Sequence, residues 1–291
     1  MRFLVLIISV LILCFSTVSF SAEREIRIGL IPEENIFRQM DRYKPLSEYL
    51  TSRLGMKTRF TILSRYGDII DRFVMRNLDG AFFGAFTSVL AIEKLGVEPV
   101  VRPLNLDGTS SAEGYIFVRR DSNIKDIKDM KGKTIAFVDR ATATGYIFAL
   151  AYFKEHGIKN PLGYFREYYF TGSHDSALLS VLDGKADIGV AKSKIIKERI
   201  KKDPVIEQEI LIIARSIALP DVTLCLSKRL DKGLKERIKD ILINMDKDPE
   251  GRKVLEQFGA LRFTVASKED FSIVYNMLKK ADIEIKTYKY R

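Results

Sequence analysis

Residues 138–150 read VDRATATGYIFAL: an apolar strand ends at Asp139, two threonines flank Ala143, and Gly145 opens a long apolar helix. The first turn of a helix has backbone N–H groups without intrahelical partners and a partial positive charge, so it suits an anion. Thr142-Ala143-Thr144-Gly145 would offer such an anion two hydroxyls and consecutive amides. The competing reading is structural, because threonine at this position is also an ordinary helix N-cap. A second candidate is His174-Asp175, which follows Ser173 at another helix start. Adjacent residues on a helix do not face each other, so an acid–base pair is not the expected use of these two. His174 reads as a polar residue of a cap, with Ser173 beside it a natural cap as well.

Several other chemistries find no support in the sequence. It contains no HExxH, CxxC or GxSxG, and no GxGxxG. Gly132-Lys133-Thr134 imitates the end of a phosphate-binding loop, but it lacks the leading glycine and precedes a strand instead of following one. With two histidines in the chain, a multi-histidine metal site is not expected, and neither is any other cofactor. Cys225 lies in an apolar run and reads as a buried, inert thiol; the other cysteine, Cys14, lies in the N-terminal segment, so no internal disulfide is expected.

The chain of 291 residues is 46% hydrophobic and 30% charged, a composition for one large or two medium globular units. Residues 1–22 combine a basic start, an apolar run and small residues before Glu23, the pattern of a cleavable secretory signal; lipid attachment at Cys14 is not expected. The net charge is +10, yet Lys194, Lys197, Lys201 and Lys202 recur at helical spacing and read as a solvated face. No nucleic-acid partner follows from that; the charge favours solubility and anion steering.

Strand-like runs at 24–30, 57–63 and 80–83 alternate with helical runs at 43–54, 67–76 and 87–95. The order restarts with strands at 133–138, 166–170 and 187–190 and helices at 144–156 and 175–182. This is an α/β pattern of mostly parallel sheets flanked by helices. A weak echo supports two lobes: Asp79 and Asp187 each stand before a short apolar strand. A ligand would then sit between the lobes at the carboxyl ends of their strands. Extended runs at 114–119 and 222–226 lie where the chain could cross between lobes, and helices at 232–245, 249–258 and 268–279 would pack back on the first lobe.

With these residues in place, the chain resembles the phosphate, phosphite and phosphonate substrate-binding proteins of ABC importers, which have the two-lobed type II periplasmic binding fold. The resemblance runs through the helix segment 45–50, Tyr66 in 63–70, 79–87, 111–115, 126–133, the stretch at 138–150, 170–175 and the turn at 184–187. It implies lobe 1 over 23–112 and 220–291, lobe 2 over 113–219, and a ligand in the cleft. It implies that Thr142, Ala143, Thr144 and Gly145 cradle a tetrahedral oxyanion, and that Tyr66, Tyr115 and His174 add donors. Members that bind aminoalkylphosphonates hold the amine with two acids; Lys194 and Val222 align with those acids here, with Asp221 adjacent, so a ligand without an amine is expected. The expected role is a monomeric periplasmic receptor without enzymatic activity, delivering phosphonate, phosphite or phosphate to an inner-membrane permease. The alternatives are a sensory binding protein of the same fold and, remotely, a phosphate-ester hydrolase using His174 and Asp175.

Overall fold

The computed structural model describes residues 24–290; the expected signal segment and Cys14 lie outside the described residues. Strand β1 (Ile26–Leu30) leads into α1 (Ile36–Leu54), β2 (Thr58–Ile62), α2 (Asp68–Met75), β3 (Gly80–Phe83), α3 (Ala85–Leu95) and β4 (Glu98–Asn105). Helix α1 starts earlier than the apolar pattern suggests, because Asn35 caps it by accepting from the Phe37 amide, and it stops at Gly55 with φ +66°. Its buried positions Gln39, Tyr43, Leu46, Leu50 and Leu54 recur every three or four residues, which lays one face on the sheet. β3, the sequence GAFF, is buried along its whole length and sits inside the sheet, flanked by β1 and by the later strand Thr223–Leu226.

A short strand β5 (Ser111–Ala112) precedes the second lobe: β6 (Gly114–Arg119), β7 (Thr134–Phe137), a π-helical turn at Ala143–Ile147 that runs into α4 (Phe148–Glu155), β8 (Glu167–Phe170), α5 (His174–Leu182), β9 (Ile188–Lys192), α6 (Ser193–Lys202), α7 (Val205–Glu209) and β10 (Ile210–Arg215). The chain returns through β11 (Leu219–Pro220), which pairs antiparallel with β5, and then forms β12 (Thr223–Leu226), α8 (Lys232–Ile243), α9 (Pro249–Phe258), β13 (Ala260–Val265) and α10 (Ser272–Lys280). The six-stranded sheet has the order β13-β4-β12-β3-β1-β2, and the five-stranded sheet β10-β6-β9-β7-β8.

Both sheets are mixed. The parallel parts, β2-β1-β3 and β8-β7-β9, are the expected alternating strands and helices. Antiparallel strands complete each sheet: β12, β4 and β13 in one, β6 and β10 in the other. The sequence reading left β4, β10 and β13 unassigned. In β4, Pro99 and Pro103 argue against a strand between two neighbours. The structure accommodates Pro99 where the pairing of β12 with β4 shifts register. The last helix also departs from expectation. α8 and α9 pack on the first lobe, but α10 packs against α3 of the first lobe and α4 of the second.

The internal echo has a structural cause. The Asp79 carboxylate accepts from the Arg27 amide (3.0 Å), and the Asp187 carboxylate accepts from the Thr134 amide (2.8 Å). In each lobe one aspartate pins the start of the neighbouring parallel strand. Cys225 is fully buried in β12, and burial pushes its thiol pKa up to about 12, so it is an inert core residue.

Candidate functional site

One small cavity lies where the carboxyl ends of the parallel strands of both lobes meet. Its walls are Ile31 and Glu33 after β1, Tyr66 after β2, Gly84–Phe86 at the start of α3, and 141–144 after β7. His174 at the start of α5 and Lys192 at the end of β9 complete it, with Ala112, Pro220 and Val222 from the crossing segment. The cavity measures about 20 Å³, somewhat more than the ~10–15 Å³ that one water needs.

The turn at Ala143–Ile147 is uncapped. Thr142 occupies the N-cap position, but its side chain accepts no bond from the turn; its hydroxyl instead donates to the Asp139 carbonyl at 2.6 Å. The Ile147 amide reaches back five residues to the Thr142 carbonyl (3.1 Å), which makes the turn π-helical and wider than an α-turn. The first amides of a helix have no intrahelical acceptor, and here no side chain supplies one. Gly145 closes the turn against β7: a Cβ there would lie 2.5 Å from a methyl of Val138, so the position admits no side chain. Thr144 lines the cavity, and among the described residues its hydroxyl makes no hydrogen bond to the protein.

Tyr66 is 2% exposed, and its hydroxyl has no hydrogen-bond partner among the described residues. A buried donor left unpaired is costly, so such a group points to a ligand. Burial, with Glu33 and Asp139 nearby, raises the Tyr66 pKa well above the usual tyrosine value and keeps the hydroxyl a donor. Beside it, edge to face at 6.0 Å between ring centroids, lies His174. The Lys192 backbone amide donates to His174 Nδ1 (3.1 Å), which fixes the neutral tautomer with the proton on Nε2. Burial and the Lys192 charge lower the His174 pKa to about 3, so the ring remains a neutral donor at physiological pH.

The start of α5 is built differently from the turn after β7. Ser173 caps it conventionally, accepting from the Ser176 amide at 3.1 Å. Asp175 turns away from His174 to pair with Arg38 and, at 3.3 Å, with Arg199. His174 and Asp175 therefore form no acid–base dyad.

Of the residues singled out from the sequence, Tyr66, Thr142, Ala143, Thr144 and His174 share the cavity wall. Gly145 backs the turn without lining it. Tyr115 lies outside this wall: its hydroxyl is 3.3 Å from both Glu113 and Arg215, whose guanidinium covers the ring at 4.9 Å. Lys194 does not line the cavity. Its ammonium donates to Asn105 (2.7 Å) and lies 3.7 Å from Asp221, and the lysine that does line the cavity is Lys192. Val222 lines the cavity, and the adjacent Asp221 is buried.

Sequence reasoning missed Glu33, Lys192 and the start of α3. α3 begins at Gly84 with no side-chain cap and carries Gly84, Ala85 and Phe86 into the cavity wall, so a second uncapped helix start faces it from the other lobe. The sequence signal was a glycine between an apolar strand and an apolar helix, in register with the Asp79 echo. Lys192 is 5% exposed and joins Glu33 at 2.6 Å and Asp221 at 2.5 Å. Burial acts against its charge, but Asp221 and Glu33 outweigh that and hold its pKa above the usual lysine value. Burial would likewise raise Asp221, yet Lys192 and Lys194 hold it well below the usual carboxylate range.

Two mixed α/β sheets, a crossing strand pair and a cavity of uncapped helix starts at the strand ends define a two-lobed binding protein with the periplasmic-receptor fold. The family model for periplasmic phosphonate substrate-binding proteins of ABC transporters matches residues 28–271, and the chain belongs to that family. It is 29% identical over 184 residues to the phosphate-import protein PhnD of Mycolicibacterium smegmatis, a match spanning 60% of this chain and 57% of that relative. It is 21% identical to the probable phosphite-binding protein PhnD1 of Prochlorococcus marinus over 94% of this chain and 95% of the relative. Among solved structures, a binding protein component of an ABC phosphonate transporter from Pseudomonas aeruginosa superposes with a TM-score of 0.82 at 19% identity, over 89% of this chain and 88% of that one. PhnD1 of Prochlorococcus marinus in complex with methylphosphonate superposes with 0.79 at 19% identity, over 89% and 99%. These relatives are named for phosphate import, phosphite binding and phosphonate binding.

Proposed function

We propose that this chain is a periplasmic receptor that captures one small tetrahedral oxyanion, a phosphonate, phosphite or phosphate, and delivers it to an inner-membrane ABC permease. The observation that carries this reading is the Tyr66 hydroxyl, buried without a protein partner in a cavity that two uncapped helix starts also face. Neutral donors and helix dipoles hold an anion without a cation pressed against it. In this reading Tyr66, the 142–144 turn and His174 Nε2 contact the oxygens, and Gly145 lets the turn close.

Lobe 1 comprises 23–112 and 220–291 and lobe 2 comprises 113–219, with β5 and β11 as the hinge. Polar contacts between the lobes, from Arg38 to Asp175 and from the His174 amide to the Glu33 carbonyl (3.2 Å), latch the closed form. Closure removes water from the ligand, where charge-assisted hydrogen bonds are strongest. The receptor acts as a monomer, needs no cofactor and has no nucleic-acid partner. No helix among the described residues is long and apolar enough to cross a membrane.

A thermal-shift screen tests the reading against phosphate, phosphite, methylphosphonate, sulfate and ethanesulfonate. A ligand at 100 times its dissociation constant adds about 2.7 kcal/mol of stability. Stabilisation by at least one phosphorus oxyanion and not by the sulfur compounds is expected. Equal stabilisation by all five, or by none, would contradict the assignment.

A further inference from the structure

Resting on the oxyanion reading above, we propose that Lys192 is a built-in counter-cation that sets the ligand class. Its ammonium fills the position between two buried carboxylates and so restricts the cavity to compact oxyanions that carry no cationic substituent.

Glu33 and Asp221 are 3% and 1% exposed, and each would be expensive to bury as an unpaired charge. Lys192 enters from the last residue of β9 and bonds both, at 2.6 Å to Glu33 Oε1 and 2.5 Å to Asp221 Oδ1. The other partners are weaker or already shared. Arg42 lies 3.8 Å from Glu33 and is nearer to Glu34, at 2.9 Å. Asp221 also accepts from Asn105 (2.9 Å) and from the Val222 amide (2.7 Å), while Lys194 stands 3.7 Å away.

An ammonium has three donors, and the two carboxylates take two of them. Lys192 and Glu33 both line the cavity, so at this wall the chain itself satisfies the acids. A ligand bringing its own ammonium would meet a like charge and no free acid. Truncating Lys192 reverses both conditions: it vacates the length of a butylammonium chain and leaves two buried carboxylates short of one cation. A ligand whose ammonium stands two carbons from its phosphonate then supplies the missing charge.

The test is a calorimetric titration of ethylphosphonate and 2-aminoethylphosphonate into the wild-type chain and Lys192→Ala. In the wild type, ethylphosphonate is expected to bind at least tenfold more tightly. In Lys192→Ala the preference is expected to invert, a change of at least 100-fold in the affinity ratio. A residue serving only to latch the lobes would weaken both ligands alike, so an unchanged ratio in the variant overturns the proposal. A second measurement does not depend on oxyanion binding. The melting temperature of Lys192→Ala should rise in ethylammonium chloride relative to equal sodium chloride, while that of the wild type does not. If the variant folds only with ethylammonium present, the proposal is supported; if it gains nothing from ethylammonium, the proposal fails. A wild-type chain that binds no oxyanion at all would instead overturn the functional reading, and the ethylammonium result would still decide the role of Lys192.

Discussion

Two helix starts of the second lobe face the same cavity and are finished in opposite ways. At Ser173 the chain caps its own helix, and the serine side chain accepts from the Ser176 amide at 3.1 Å. At Thr142 it does not: the threonine hydroxyl is spent on the Asp139 carbonyl, and the turn opens into a π-helical form with its first amides uncapped. A cap stabilises the free protein, whereas an uncapped start stabilises whatever anion completes it. The contrast separates groups that hold the fold from groups held ready for a ligand. It extends to the two tyrosines, since Tyr66 carries an unpaired buried hydroxyl and Tyr115 a hydroxyl shared between Glu113 and Arg215.

The largest expected effect is at Tyr66. Tyr66→Phe should weaken oxyanion binding by about 1.5–3 kcal/mol, roughly 10- to 150-fold, the scale of one hydrogen bond to a charged group. Its ligand-free melting temperature should stay level or rise, because the variant removes a buried donor that has no partner. Calorimetry paired with a melting scan reads both, and a variant that melts early while binding normally would make Tyr66 a fold residue.

The next effect is on the pH dependence of stability. Burial lowers the His174 pKa from 6.5 to about 3, so the unfolded chain takes up that proton more readily than the folded one. This contribution to stability is complete above about pH 6.5 and is lost as the pH falls towards 3, approaching about 1.4 kcal/mol per pH unit. His174→Gln should flatten the fall in melting temperature between pH 6 and 4. An unchanged slope would mean that the ring is charged in the folded protein.

At the capped start, Ser173→Ala should cost about 0.5–2 kcal/mol of stability and leave the dissociation constant within roughly twofold, as expected for a lost N-cap. The smallest effect is expected at Tyr115. Tyr115→Phe gives up long contacts away from the cavity, and calorimetry should show affinity unchanged within about twofold; a loss comparable to that of Tyr66→Phe would place the phenol at the ligand.

The alternating strands and helices of both lobes were legible because each carries its own period, and the short apolar runs such as GAFF are bounded by turn residues. The antiparallel strands were not. β4 contains two prolines, and β10 and β13 owe their place to partners more than 80 residues away in the chain. At the site, Thr142–Gly145 and His174 could be found because a helix start announces itself locally. Glu33, Lys192 and Asp221 come from three separate segments, and nothing in any one of them tells that they share one charge cluster. Lys192 and Lys194 are two residues apart and look equivalent in sequence. Only the direction in which the strand end points separates the one that lines the cavity from the one that reaches Asn105.

The central claim is that the turn after β7 is left uncapped for an anion, and Thr144→Ala tests it most directly when calorimetric binding of methylphosphonate or phosphite is measured beside the ligand-free melting temperature. Thr144 caps nothing and lines the cavity, so the variant should lose affinity at least fivefold while melting within a degree or two of the wild type. A Thr144→Ala protein that melts early and binds its oxyanion normally would contradict the account, because the turn would then serve the fold and not the ligand.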